Sequence, residues 1–163
     1  MKNNIFILNK VNERIISQLV NIHFSALNEF NFRNWSFQDF VDLINNGSSI
    51  FYYVLNNIIV GFSVVRFNED FTEIIIIAVD SNYQKKKIGQ NILNYIIDCP
   101  YFKGCMILDV AITNTNAINF YKKFGFKKIG QRKNYYLILE GDKVGQKIDA
   151  IVMQLQIHPT TSQ

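Results

Sequence analysis

The sequence predicts an α/β fold, one mixed sheet flanked by helices, and three observations carry that expectation. Two runs rich in β-branched and aromatic residues, 49–55 and 58–67, are separated by Asn56-Asn57, residues that tolerate the positive φ of a tight hairpin turn. The unbroken Ile74-Ile75-Ile76-Ile77 within the run Thr72 to Val79 reads as a strand covered on both faces, hence central in its sheet. Finally, a helical stripe of Ile88, Ile92, Leu93, Ile96 and Ile97 lies between that strand and another strand pattern, Met106 to Ile112, which makes a β-α-β unit with parallel strands.

The remaining elements follow in order. A first strand is expected near residues 3 to 8, and Ile15, Leu19, Ile22 and Ala26 then recur at helical spacing with a polar opposite face. Ser36 is placed to cap a second helix carrying Phe37, Phe40, Val41 and Ile44, with Asn46-Gly47 as its stop. After the hairpin, Asn68-Glu69-Asp70 turns the chain into the isoleucine strand, and Pro100 ends the helix of the β-α-β unit. Ala117, Phe120, Tyr121 and Phe124 mark a further helix closed by Gly125, and strands near 127–138 and 147–156 complete a domain spanning 1–156. Residues 157–163 read as a polar tail, and no internal repeat or linker interrupts the domain.

The chain has 163 residues, 48% hydrophobic and 18% charged, a balance that suits one packed core and argues against extended disorder. Its apolar runs are strand-sized, far short of the ~20 residues of a membrane-spanning helix, so no membrane span is expected. The N-terminus lacks the apolar core of a secretory signal, and a cytoplasmic protein is expected. Cys99 and Cys105 are too few for a disulfide framework or a zinc site, and no metal is expected. A net charge of +4 with lysines bunched at 85–87, 122–123 and 127–128 points to an anionic partner, either nucleic acid or a phosphorylated cofactor.

The junction Ala78-Val79-Asp80-Ser81-Asn82-Tyr83-Gln84-Lys85-Lys86-Lys87-Ile88-Gly89-Gln90 leads from the buried strand into a helix. Free N–H groups at a helix N-terminus attract phosphate, and three lysines strengthen the attraction; the alternative is a solvated lysine run before an ordinary helix. Within it, Gln84-x-x-Lys87-x-Gly89 resembles the acetyl-CoA signature of the GNAT superfamily, Gln/Arg-x-x-Gly-x-Gly/Ala, with Lys87 in place of one glycine. A second segment, Leu108-Asp109-Val110 followed by Asn114 through Phe126, resembles that superfamily's second half. Asn114 and Tyr121, seven apart, share a helical face there. Arg132-Lys133-Asn134-Tyr135-Tyr136, then Asp149 to Met153, together with Trp35-Ser36, resembles the ribosomal-protein-alanine N-acetyltransferase branch.

The resemblance implies a single-domain GNAT fold: a mixed, mostly antiparallel sheet of six or seven strands, a central splayed parallel pair, and about four helices. It implies acetyl-CoA as co-substrate, lying between the strands that end near Val79 and Ile112. Backbone groups of Ile77, Ala78 and Val79 would meet its pantetheine arm, while Gln84, Lys85, Lys86, Lys87, Ile88, Gly89 and Gln90 would wrap the pyrophosphate. Asn114 would hold the arm from the other side. Tyr121 would be the general acid and Asp109 the base, directly or through a water, with Glu73 an alternative carboxylate.

The acceptor implied by the resemblance is a protein α-amine, with that of a ribosomal protein as the candidate. An α-amine has a pKa of roughly 8 against about 10.4 for lysine, so modest basic help suffices. An acetyltransferase for small amines or lysine side chains, and a non-catalytic CoA-binding or interaction module, are the alternatives. Nucleic-acid binding is not expected, because the lysines sit where cofactor phosphates belong. Trp35, Tyr135 and Tyr136 read either as lining an acceptor groove or as aromatics packed on the sheet, and His23 reads as packed or cleft-lining.

Overall fold

A computed structural model describes residues 4–30 and 32–157. Residue 3 of the expected first strand and residues 158–163 of the expected tail lie outside the described residues. Seven strands and four α-helices follow in the order β1 (Ile5–Leu8), α1 (Glu13–Leu27), α2 (Phe37–Asn45), β2 (Ser49–Leu55), β3 (Ile58–Phe67), β4 (Thr72–Val79), α3 (Ile88–Ile97), β5 (Cys105–Ala111), α4 (Thr115–Phe124), β6 (Lys127–Leu137) and β7 (Lys147–Gln156). Short 3-10 turns follow α1 and β4. No helix among the described residues is long and apolar enough to cross a membrane.

Local chemistry explains the boundaries. Asn12 caps α1 by accepting the Ile15 amide. Ser36 and Asp39 form a reciprocal capping box at α2, and Arg33 grips the same Asp39 carboxylate through two bonds of 2.8 and 3.0 Å. Asn56 and Asn57 take φ of 50° and 64°, the left-handed pair that a two-residue hairpin demands. Gly125 ends α4 at φ 114°.

The strands form one sheet, order β1-β2-β3-β4-β5-β7-β6, with β4 in the middle. Every neighbouring pair is antiparallel except β4 and β5. That parallel pairing covers Thr72–Ile74 against Met106–Leu108 and then stops. The cause lies on the other side of β4. There Val65 pairs with Ile74 and Val64 with Ile76, so Ile75 is an extra residue, a bulge that bends β4 away from β5 at the point where their pairing ends.

The sheet buries both faces. Ile88, Ile92, Leu93 and Ile96 of α3, with Ile118 and Tyr121 of α4, pack on one face over Val60, Ile74, Met106 and Met153. On the other, Ile16, Leu19 and Ile22 of α1 and Phe40 and Ile44 of α2 pack over Ile50, Phe62, Val64 and Ala78. The bulge is visible in this division: Ile74 and Ile77 belong to the α3/α4 face, while Ile75 and Ile76 in succession pack on the α1/α2 face.

Gly61 on β3 lets the start of α3 come close, since a Cβ there would lie 3.0 Å from Ile88 Cγ2 and 3.2 Å from the Ala78 carbonyl oxygen. Gly61→Ala should therefore destabilise the protein by about 1–3 kcal/mol, as overpacking of a dense core does. Urea unfolding of the variant beside wild type measures it; an unchanged midpoint would mean that α3 gives way freely.

Candidate active site

Beyond Ile74 the two central strands diverge, and a cleft of about 480 Å³ occupies the gap. Its walls come from both faces of the sheet: Asn114, Ala117 and Tyr121 from the α4 side, and His23, Leu27 and Trp35 from α1 and the α1–α2 link. The cleft is thus lined from both faces of the sheet; of the residues expected to hold a cofactor, Ile77 and Asn114 are in its walls, whereas Ala78, Val79 and Gln84 to Gln90 are not.

The opened edge of β4 is a row of main-chain groups. The Asp80 amide donates to the Val60 carbonyl, so by the alternation of an antiparallel ladder the backbone groups of Ala78 and Ile76 face β3 and those of Ile77 and Val79 face the gap. Of Ile77, Ala78 and Val79, all expected to meet a ligand through the backbone, Ala78 is the one whose main-chain groups turn into the sheet. Val79 also presents its carbonyl to Gln84, whose side-chain amide donates to it at 3.2 Å. Gln84 thereby pins the loop to the end of β4.

The loop itself is built for an anion. Lys85 and Lys87 both adopt left-handed backbone, φ 61° and 62°, and Lys87 is the N-cap of α3 without a side-chain cap bond. A left-handed residue followed by a right-handed one, as Lys87 is by Ile88, turns successive N–H groups into a concave nest, and the first-turn amides of α3 at Ile88, Gly89 and Gln90 point the same way. The left-handed φ at 87 is the reason a glycine suits this position, and lysine occupies it here at the cost of backbone strain. Lys86 lies 4.9 Å over the Tyr83 ring. Gly89 sits where a Cβ would touch Phe120 at 3.4 Å and Ile77 at 3.7 Å, so α3 begins close against α4 and β4.

Tyr121 is buried in the cleft wall, and burial, with Tyr136 nearby, holds its phenol well above the ordinary value, so it keeps its proton at neutral pH. Asn114 caps α4 by accepting the Ala117 amide at 3.0 Å while lining the same cleft as Tyr121. On β5, Leu108 and Val110 belong to the α3/α4 core, so by strand alternation Asp109 emerges on the opposite face. Tyr121 and Asp109 therefore flank the cleft from opposite sides of the sheet.

Sequence reasoning left Asp109 without a partner; the structure supplies Arg132, whose Nε donates to both carboxylate oxygens at 3.1 Å. Glu73 pairs with Arg66 at 3.4 Å and is not among the residues lining the cleft. Arg132 lies on β6 where its pairing with β7 slips: between Arg132↔Ala150 and Tyr136↔Ile148, three residues of β6 face one of β7. Asp149 holds this bulge by accepting the Asn134 amide at 2.9 Å and the Gln131 side chain at 2.6 Å, with Asn134 at φ 54°. Consecutive strand residues ordinarily point to opposite faces, yet Tyr135 and Tyr136 both line the cleft; the bulge turns them there.

Phe32, which sequence reasoning passed over, stacks on Tyr136 at 4.9 Å and joins the α1–α2 link to β6 across the mouth. Such a contact between residues a hundred positions apart leaves no local signal. His23 stacks on Trp35 at 5.1 Å, and burial, then the charge of Arg33, lower its pKa to about 4 despite the opposing pull of Asp39.

Residues 16–126 match the acetyltransferase (GNAT) family. The [ribosomal protein bS18]-alanine N-acetyltransferase of Escherichia coli (strain K12) is 31% identical over 127 residues, which cover 76% of this chain and 81% of that one. The crystal structure of the ribosomal-protein-S18-alanine N-acetyltransferase from Escherichia coli is similar with a TM-score of 0.77 at 24% identity, covering 98% and 99% of the two chains. Arabidopsis thaliana Naa50 in complex with the bisubstrate analogue CoA-Ac-MVNAL is similar with a TM-score of 0.66 at 26% identity, covering 95% of this chain and 100% of that one.

The His23 environment makes stability depend on pH. Its pKa in the folded state, about 4, lies below the 6.5 of an unperturbed imidazole, so between these values the unfolded chain binds a proton that the folded chain refuses. The contribution of the neutral ring is complete above pH 6.5 and is lost as pH falls toward 4. The urea midpoint should drop across this window in wild type and drop less in His23→Phe; parallel curves would show that the drop comes from other groups.

Proposed function

The chain belongs to the acetyltransferase (GNAT) family, and we propose that it moves the acetyl group of acetyl-CoA onto the N-terminal α-amine of a protein, with a ribosomal protein as the candidate acceptor. It is an acyltransferase, and GNAT enzymes use acetyl-CoA. The observation that carries the finer reading is a cleft lined from both faces of the sheet, with Tyr121 on the α4 side and an aromatic groove of Phe32, Trp35, Tyr135 and Tyr136 in its walls, while the lysine loop before α3 lies beyond the lining residues. A small amine needs no such groove, whereas a chain end does. The relatives at 31% identity are named for alanine N-acetylation of a ribosomal protein, which supports the same acceptor class.

The residues fit acetyl-CoA. Amides at the start of α3 and in the loop of Lys85–Lys87 suit a pyrophosphate, and the backbone of Ile77 with the amide of Val79, turned away from β3, suits the amides of a pantetheine arm, the Val79 carbonyl being taken by Gln84. The cofactor supplies an activated thioester carbonyl to which the amine nitrogen adds as the carbon–sulfur bond breaks. Tyr121 donates its hydroxyl hydrogen bond toward the sulfur. A thiol's ordinary pKa is about 8.5, below that of a phenol near 10, so Tyr121 stabilises the developing thiolate chiefly by that bond, and the proton leaving the amine completes the balance. An α-amine of pKa about 8 is roughly one-tenth neutral at pH 7, and as that neutral amine adds, Asp109, oriented by Arg132, takes its one departing proton through a water and so relays it toward the leaving thiolate.

Tyr121→Phe should lower kcat by about 10²–10³-fold, the usual loss for a group that stabilises charge only in the transition state. Its acetyl-CoA affinity by calorimetry should stay close to wild type. A peptide beginning with alanine should be acetylated in preference to the same peptide with a blocked terminus and a free lysine; a reversed preference would sink the α-amine reading.

Lys87→Gly separates strain from charge. Removing the left-handed lysine should raise stability by up to about 1 kcal/mol. Acetyl-CoA should bind more weakly at low ionic strength, with the difference shrinking in 1 M salt as screening sets in. Equal affinity at all salt concentrations would show that the Lys87 ammonium makes no contribution.

A further inference from the structure

Of the ionisable side chains lining the cleft, His23 has no part in the chemistry above; Arg33 has none either, but it is held by Asp39. It stands on α1 one turn before Leu27, on the face of the sheet opposite α4, and so on the side proposed above for the acceptor. An aromatic column fixes its plane: His23 stacks on Trp35 (5.1 Å, 22°), Trp35 meets Phe40 edge-on (5.5 Å, 70°), and Phe40 meets Phe62 edge-on (5.5 Å, 67°). Phe40 and Phe62 are fully buried, so the ring rests on the core and not on a mobile loop.

The ring's hydrogen bonding is incomplete. Nδ1 is buried without a partner among the described residues. A neutral imidazole carries one proton, and an orphaned N–H inside a protein is rarer and costlier than an orphaned lone pair. The proton therefore belongs on Nε2, and the ring offers the cleft a neutral N–H donor. The charges of Arg33 and Asp39 act on the same ring in opposite directions, and the two are paired with each other, so burial is the main reason that the ring stays neutral.

We infer that His23 determines acceptor specificity: its Nε2–H donates a hydrogen bond to the carbonyl oxygen of the acceptor's first residue, so the acceptor must be an amine followed by a peptide carbonyl. The inference rests on the α-amine reading and adds what recognises the bond next to that amine. A small amine without a carbonyl leaves the donor unpaired and loses its contribution.

The test uses an alanyl peptide and its analogue in which the first peptide carbonyl is a thioamide, whose sulfur is a poor hydrogen-bond acceptor. Wild type should prefer the oxygen peptide by about tenfold in kcat/KM, the size of one hydrogen bond made away from water. His23→Phe should lose most of this preference, and His23→Gln, which keeps an N–H donor, should recover part of it. Because each ratio compares two acceptors on the same variant, a fall in the amount of folded protein does not move it. A His23→Phe enzyme that keeps the wild-type ratio overturns the inference and leaves the histidine a packing residue, with the α-amine reading intact. Wild type that acetylates a lysine or a small amine but no peptide α-amine overturns both.

Discussion

The site depends on one extra residue in a central strand. Ile75 has no counterpart on β3, so β4 bends just after its last pair with β5, and a continuous seven-stranded sheet becomes one that is split in the middle. The split exposes main-chain groups that a β5 partner would otherwise occupy, and an unpaired strand edge is a ready template for another extended, amide-bearing chain. It also makes a passage between two faces that a closed sheet would keep apart. The proposed meeting of a cofactor and an acceptor in this space rests on that bend.

Around the passage, rigid elements hold the chemistry and bulges aim it. Tyr121 is set by α4, whose start is capped by Asn114 and whose end is stopped by Gly125. Asp109 is on a strand paired along its whole length with β7, and Arg132 orients its carboxylate from the next strand. A second bulge, tied down by Asp149, brings Tyr135 and Tyr136 to the cleft together. These two bulges, among the irregularities of the sheet, thus shape one space.

The two walls also differ in electrostatic character. Lys85, Lys86 and Lys87 before α3 concentrate positive charge and form no ion pair among the described residues, while the acceptor side balances its cations with Asp39 and Asp109. Burial keeps Tyr121, Tyr136 and His23 neutral near pH 7. Fixed charge is therefore concentrated where phosphates are expected, and neutral donors where a thioester and a peptide are expected.

What the sequence determined by itself was the local structure and its order. The Asn56-Asn57 hairpin, the Ser36 cap, the isoleucine strand at the sheet's centre and the glycine stop at 125 are written in residues close together in the chain, because caps, turns and periodicity are short-range effects. The signature around Gln84 to Gln90 and the Asn114–Tyr121 spacing were legible for the same reason. Only the tertiary structure decided that Ile75 is the bulged residue among four identical isoleucines, since register is set by the partner strand. It likewise decided that Asp109 faces Arg132, that Glu73 turns to Arg66, and that Phe32 meets Tyr136. Those pairs join segments whose proximity depends on how the sheet twists and bends, a property of the packed whole that no stretch of chain encodes alone.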